Sequence, residues 1–253
     1  GRLPVTDLEP PLRTSMPHAF RPPAARDLES AVRSRGLTLV EVAITVAILA
    51  LLTTMAVPNY LGSRAESNEA AVVATLRSLV DAQAEFRLAA YVDRDGDGTG
   101  EYGTLGELAG RRPLPGKTSP VDLHLLPSVL GETGPDGRAL CGNYWFAIYL
   151  ADVGGRGTAD TPGAREAMDP EFAERRWTCI AWPVEHGVTG EHTYFVNEQG
   201  EVRRNRTERY SGTDRVPPAG AALVYGQDAH QIARGRLATN ELGADGGVWL
   251  PVK

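Results

Sequence analysis

The 253-residue chain carries 26 basic and 32 acidic side chains, a net charge of −6, with 42% hydrophobic and 23% charged residues. Those fractions are ordinary for a globular protein and exclude wholesale disorder, and the acidic balance argues against a protein that tracks nucleic-acid phosphates. Two cysteines are too few for a disulfide-rich scaffold or a four-thiolate zinc site and permit at most one bridge.

Residues 1–36 include PPLRTSMPHAFRPPAA, a Pro- and Arg-bearing stretch without periodicity that reads as disordered. The chain then changes character. From Leu37 to Val57 it reads LTLVEVAITVAILALLTTMAV, with Glu41 as the single charge. About 20 apolar residues are what a helix needs to cross a bilayer core. Arg33 and Arg35 supply the basic flank that stays on the cytoplasmic side. An ordinary secretory signal has its small-residue cleavage site after the apolar run, whereas here Gly36 precedes it. Glu41 would cost roughly 2.5–3.5 kcal/mol if it lay near the bilayer centre, so it calls for a partner.

The helical pattern continues past Pro58, with Ala71, Val72, Leu76, Leu79, Val80, Ala82, Phe86 and Ala90 near helical spacing and charges between them. One helix over 37–90 would run about 80 Å. Pro58 has no amide hydrogen and should kink or locally melt it. The amphipathic second half needs a surface to lie against.

Next comes Asp93-Arg94-Asp95-Gly96-Asp97-Gly98-Thr99-Gly100-Glu101. Alternate carboxylates followed by Gly can wrap a hard cation, as in the first half of an EF-hand loop. Asp93, Asp95, Asp97 and Glu101 are the candidate Ca2+ ligands. The twelfth position holds Thr104 where an EF-hand has Glu, and Glu107 lies three residues beyond. The competing reading is a solvated Asp/Gly turn that ends the long helix.

Beyond it, short helices are expected at Leu105–Leu108 and around Val121–Leu130. Strands are expected at 143–151, 176–184 and 192–206, the last folded at Asn197-Glu198-Gln199-Gly200. Residues 152–175 read as an exposed loop, and the Pro-, Gly- and Ala-rich stretch from Val216 as a peripheral excursion. The sum is an α+β fold in which a long N-terminal helix, its first half transmembrane, packs on a small antiparallel sheet. Five scattered histidines, with no H-E-x-x-H, nucleophile elbow or phosphate-cradling loop, argue against an enzyme. His186 and His192 flank GVTGE and read as surface residues rather than a zinc pair.

The run RG-LTLVEVAITVAILALLTTMAVPNY resembles the N-terminal signature of type IV pilins and type II secretion pseudopilins. Gly36, Leu37, Glu41 and Pro58 fall on its signature positions and Tyr60 on a common aromatic one. Leucine replaces the commoner phenylalanine at the first mature position. YWFAIYLA and CIAWPVEHGVTGEHTYFVNEQGEV resemble the C-terminal sheet of pilin-like proteins. The resemblance implies a leader over 1–36 that a prepilin peptidase removes after Gly36, methylating the Leu37 amine; Met16 offers a later start. It implies a transmembrane and assembly segment at 37–57, an amphipathic half-helix at 58–92 and a head at 93–253. Glu41 would pair with the Leu37 ammonium of a neighbouring subunit. The implied partners are other pilin or pseudopilin subunits, the peptidase and an inner-membrane assembly platform. The implied location is the bacterial inner membrane, single-pass, with the head in the periplasm or outside the cell. Calcium sites in some pseudopilin heads favour Ca2+ at the Asp loop.

In that oxidising compartment Cys141 and Cys179 have two readings, a bridge between strands or two buried thiols. The bridge would contribute roughly 3–4 kcal/mol by loop entropy. The alternative to a filament subunit is a membrane-anchored extracytoplasmic enzyme or ligand-binding domain. It gives Glu41 no role and requires a polar pocket in the head.

Overall fold

The computed structural model describes residues 36–224, 226 and 228–252. The leader expected at 1–36 therefore lies outside the described residues except for Gly36. The chain divides into two units, residues 1–48 and 49–253.

In the first unit the described residues open helix α1, Leu39–Leu88. Thr38 begins it: the Thr38 hydroxyl accepts the Glu41 amide at 3.2 Å, which satisfies one of the unpaired donors of the first turn. Glu41 is then the third helical residue, where a negative charge complements the helix dipole. The expected start at Leu37 moves two residues for this reason.

In the second unit α1 runs unbroken through Pro58 to Leu88. Local melting at the proline is not realised, although Pro58 has no amide hydrogen to give to the Thr54 carbonyl. Val72, Leu76, Leu79, Ala82 and Phe86 are buried in one stripe, the three-to-four spacing of an amphipathic face. The helix ends where Ala90 takes a left-handed conformation (φ 45°) and the Tyr91 amide reaches back to the Phe86 carbonyl at 3.4 Å.

The stripe lies on an antiparallel sheet. Its strands are β1 (Arg138–Cys141), β2 (Tyr144–Ala151), β3 (Gly157–Ala159), β4 (Trp177–Pro183), β5 (His192–Asn197), β6 (Arg203–Arg206) and, from the C-terminal end, β9 (Leu250–Pro251). Their order is β1-β2-β4-β5-β6-β9, with β3 sharing the β1 edge of β2. The expected strands stand within a residue or two, and the third splits into the β5–β6 hairpin around Asn197–Gly200.

Side chains alternate across a strand, and this alternation builds two cores. Tyr144, Phe146, Ile148 and Leu150 of β2 face the helix with Trp177, Cys179, Ala181, Tyr194 and Val196. Ala147, Tyr149, Ile180, Trp182 and Phe195 face the other way. There Ala219, Ala221, Ala222, Leu223, Ile232 and Trp249 cover them, along with a small ladder of β7 (Leu223–Val224) and β8 (Arg236–Leu237). The stretch after Val216 is thus one wall of a core and an edge strand, not a peripheral excursion. Its small residues let the backbone approach the sheet closely.

Two other expectations change. Residues 152–175 hold β3, a 3-10 turn at Ala164–Ala167 and helix α3 (Pro170–Ala173), and bury Asp160, Met168, Ala173 and Glu174; they are not a plain exposed loop. Helix α2 stands at Leu105–Leu108 as expected, whereas Val121–Leu130 forms only a 3-10 turn at Ser128–Gly131.

Candidate functional site

Two regions carry the residues singled out by the sequence. The first is the apolar start of α1. Each described side chain from Leu37 to Val57 is exposed, Gly36 and Glu41 included. The helix is long and apolar enough to cross a membrane, with a mean hydropathy of 2.3 over an 18-residue window. Thr45, Thr53 and Thr54 return their hydroxyls to main-chain carbonyls at 2.7 Å, so they present no unpaired donor to an apolar surround.

Residues 32–57 match the family model for the prokaryotic N-terminal methylation motif. The chain carries the N-terminal signature of prepilins and pseudopilins. The matched span takes in Gly36, Leu37 and Glu41 and stops one residue before Pro58. No curated protein and no solved structure matched the chain significantly. The pilin-like character of the rest therefore stands on its architecture, a long helix laid on an antiparallel sheet.

The second region is the junction where this prepilin-type helix gives way to the head. The Gln83 side chain, fully buried, donates to the Gly103 carbonyl at 2.8 Å and accepts its amide at 2.9 Å. Between these anchors the Asp loop folds on itself. Asp93 accepts the Gly96 and Gly98 amides at 2.8 and 3.1 Å, and Asp97 accepts the Thr99 amide at 2.7 Å. Gly96 and Gly98 take positive φ of 74° and 89°, which a side chain would resist. Carboxylate oxygens of Asp93, Asp95 and Asp97 lie within 4.8 Å of one another, a grouping that can coordinate a hard cation.

Glu101 is not gathered into that group. It is fully buried and faces arginines: Arg94 Nε lies 3.0 Å from both carboxylate oxygens, and Arg165 lies at 3.1 Å. Arg94 also donates to the Arg165 and Met168 carbonyls. Glu107, the other spare carboxylate, closes a capping box with Thr104 at the start of α2 and lies 3.4 Å from Arg165. Burial pushes its carboxyl above the usual range against the pull of Arg165. Asp160, pushed up in the same way, pairs with Arg112 at 3.3 Å. Three buried acids thus face three arginines, an arrangement in which each charge has an opposite neighbour.

Among the described residues, one buried carboxylate near this junction makes no ion pair, and the only opposite charge that bears on it is that of Arg175, from further off. Glu174, at the C-terminal end of α3, is 4% exposed, and its Oε1 is buried without a hydrogen-bond partner. The Tyr102 amide donates to the Ala173 carbonyl at 2.8 Å, which pins this turn beside the exit of the Asp loop. Burial, and then the charges of Asp97, Asp95 and Glu101, push the Glu174 carboxyl up. Its distance of more than seventy residues in sequence from the Asp loop hides it from motif reading.

A third cluster holds α1 against the sheet. Glu69 accepts the Glu191 and His192 amides at 2.7 and 3.1 Å, the His192 ring at 3.0 Å and the Tyr194 hydroxyl at 3.0 Å. Burial opposes its charge, yet these donors and the nearby imidazole hold its pKa down at about 2. His192 is therefore committed to the helix.

Cys141 and Cys179 are free thiols. They lie on β1 and β4, which flank β2 on opposite sides, with Cys141 opposite Tyr144 and Cys179 opposite Ile148. Two strand spacings of about 4.8 Å each already exceed the Cα separation a disulfide tolerates. The bridge between strands is thus not formed. Cys179 fills the helix-side core instead.

Proposed function

We propose that this chain is a structural, non-enzymatic subunit of a type IV pilus or type II secretion pseudopilus. In this reading a prepilin peptidase cleaves between Gly36 and Leu37 and methylates the new amine. The apolar half of α1 first holds the subunit in the inner membrane, single-pass, with the head on the periplasmic or extracellular side. The same segment then packs against other subunits when the assembly platform draws it into a filament. The observation that carries the reading is the methylation motif at 32–57, set on an exposed apolar helix.

The chemistry supports a role for Glu41. A carboxylate in an apolar surround is costly alone and stabilised by an opposite charge at close range. The Leu37 ammonium of a neighbouring subunit would supply that charge after cleavage. Glu41 also favours its own helix terminus, so its replacement acts on helix start and on assembly alike.

Intact-mass and N-terminal analysis of protein recovered from its native membrane tests the proposal. A chain that begins at Leu37 and carries one extra methyl group supports it. A chain left uncut at Gly36, or cut after Val57, would return the weight to a membrane-anchored domain. Glu41→Ala should deplete the subunit from sheared filaments while leaving its level in the membrane unchanged; undiminished incorporation counts against the pairing.

A further inference from the structure

We propose that the base of the head is a lipid-contact surface: the loop Glu185–Gly190, with Val188 at its tip, and the guanidinium of Arg204 touch the phospholipid headgroups of the membrane that α1 crosses. This rests on the membrane-anchored reading above and adds to it a second attachment, made by the head itself.

The sheet has two ends. β2 and β5 begin, and β4 and β6 stop, at the end that meets α1 at Glu69. The Tyr144 hydroxyl, at the start of β2, donates there to the His192 carbonyl at 3.0 Å. The loop between β4 and β5 projects from this end. It turns tightly, the Gly187 amide donating to the Gly190 carbonyl at 2.9 Å and the Val188 amide to the Glu185 carbonyl at 3.2 Å. The Asn68 side chain ties it to α1 through the Thr189 carbonyl at 2.9 Å. Val188 stays 41% exposed on this turn.

Depth follows from counting along α1. The apolar run ends at Val57. A cavity of about 330 Å³ separates Leu61, Gly62 and Ala65 of α1 from Gly187, His192 and Arg204 of the head. Its helix wall begins four residues beyond Val57, about 6 Å at the helical rise. The polar layer of a bilayer is about 5–8 Å thick on each side, so the base of the head begins within that layer. A helix tilt of about 20° toward the head, the average for membrane spans, lowers a loop about 10 Å from the axis by a further ~3 Å.

The side chains suit that layer. The Arg64 guanidinium lies 5.1 Å from the Tyr60 ring, an aromatic and a cation close to the depth at which both anchor membrane helices. Arg204 lines the cavity, and the acids Glu69 and Glu191 beside it are held by His192 and Arg206. Among the described residues Arg204 itself makes no ion pair, which leaves its guanidinium for a lipid phosphate. Glu66, exposed on the opposite wall, balances its sign, so the surface fits a zwitterionic headgroup without requiring an anionic one.

The test uses the full-length chain in phosphatidylcholine vesicles, with Cys141→Ser removing the half-buried thiol. A fluorophore is placed on Val188→Cys or, as a control, on Val153→Cys, and is quenched by lipids that carry a nitroxide on the headgroup. Val153 is 81% exposed in the turn after β2, at the opposite end of the sheet. The eight residues of β2 hold the two ends about 27 Å apart. Quenching at 188 should exceed that at 153 at least threefold, and Arg204→Glu should reduce it at least twofold. Equal quenching at the two positions, in protein that resists alkaline carbonate extraction, would overturn the lipid contact and leave the anchor standing. Protein that carbonate strips from the vesicles would overturn the anchor and the contact with it. Quenching unchanged by Arg204→Glu would overturn the part given to Arg204.

Discussion

The two faces of the sheet are covered by different means. On one face a regular helix presses large side chains into the strands: Leu76, Leu79 and Phe86 interlock with Phe146, Ile148 and Trp177. On the other, an irregular segment rich in Gly and Ala approaches so closely that main chain and sheet nearly touch. The Thr178 hydroxyl donates to the Ala219 carbonyl at 2.8 Å, and the Gly157 amide to the His230 carbonyl at 2.8 Å. A helix can cover a sheet because its own backbone is already hydrogen-bonded. A loop must find those partners elsewhere, and here the sheet and its neighbours supply them. Volume fills the first interface; closeness makes the second.

That contrast can be broken from either side. The largest effect is expected on the helix face, where Phe86→Ala should cost about 3–5 kcal/mol, since it empties a fully enclosed site. Denaturant unfolding at equilibrium measures it. On the opposite face, adding atoms should be the damaging change. A Cβ on Gly243 would meet the Ala221 carbonyl oxygen at 2.2 Å, so Gly243→Ala should cost about 1–3 kcal/mol. A neutral result would show that this wall has slack. Thr178→Val keeps the shape and removes one donor, for a loss of about 1 kcal/mol. The last prediction is a slope rather than a step. Glu69 has its pKa lowered from 4.5 to about 2, so its contribution is present above pH 4.5 and is lost as pH falls towards 2. Glu69→Gln should flatten the acid limb of the stability curve across that window.

The same contrast explains what could be read from the residues alone. The helix stripe and β2, β4 and β5 declare themselves by periodicity, because spacing of 3.6 or 2 is what burial on one side of a regular element requires. The segment after Val216 has no period. Its burial is set by partners that only the fold brings near, so its composition reads as surface. The Asp loop was visible as a local pattern, whereas Glu174 and Arg165, one of the two arginines that claim Glu101, lie in a stretch whose Gly and charge content resembles a plain loop. Thr38 and Glu41 did offer a local signal, the T-x-x-E spacing of a helix start. The apolar run overshadowed it. The cysteines misled for a related reason: nearness to strands does not tell which strand stands between them.

The order of strands also bears on how the head comes together in time. β1 and β2, β4 and β5, and β5 and β6 are joined by short connections, and the longer β2–β4 connection carries β3 and α3, so this part of the sheet closes by shorter loops than the one that brings β9 to β6 and can form early. β9 reaches β6 only at the very end of the chain, after more than forty intervening residues, and its segment docks on a sheet that already exists. Amides of β4 and β5 should then exchange with solvent only on global unfolding, while those of β7, β8 and β9 open sooner. The second core behaves, in this view, as a latch that closes after the rest has folded.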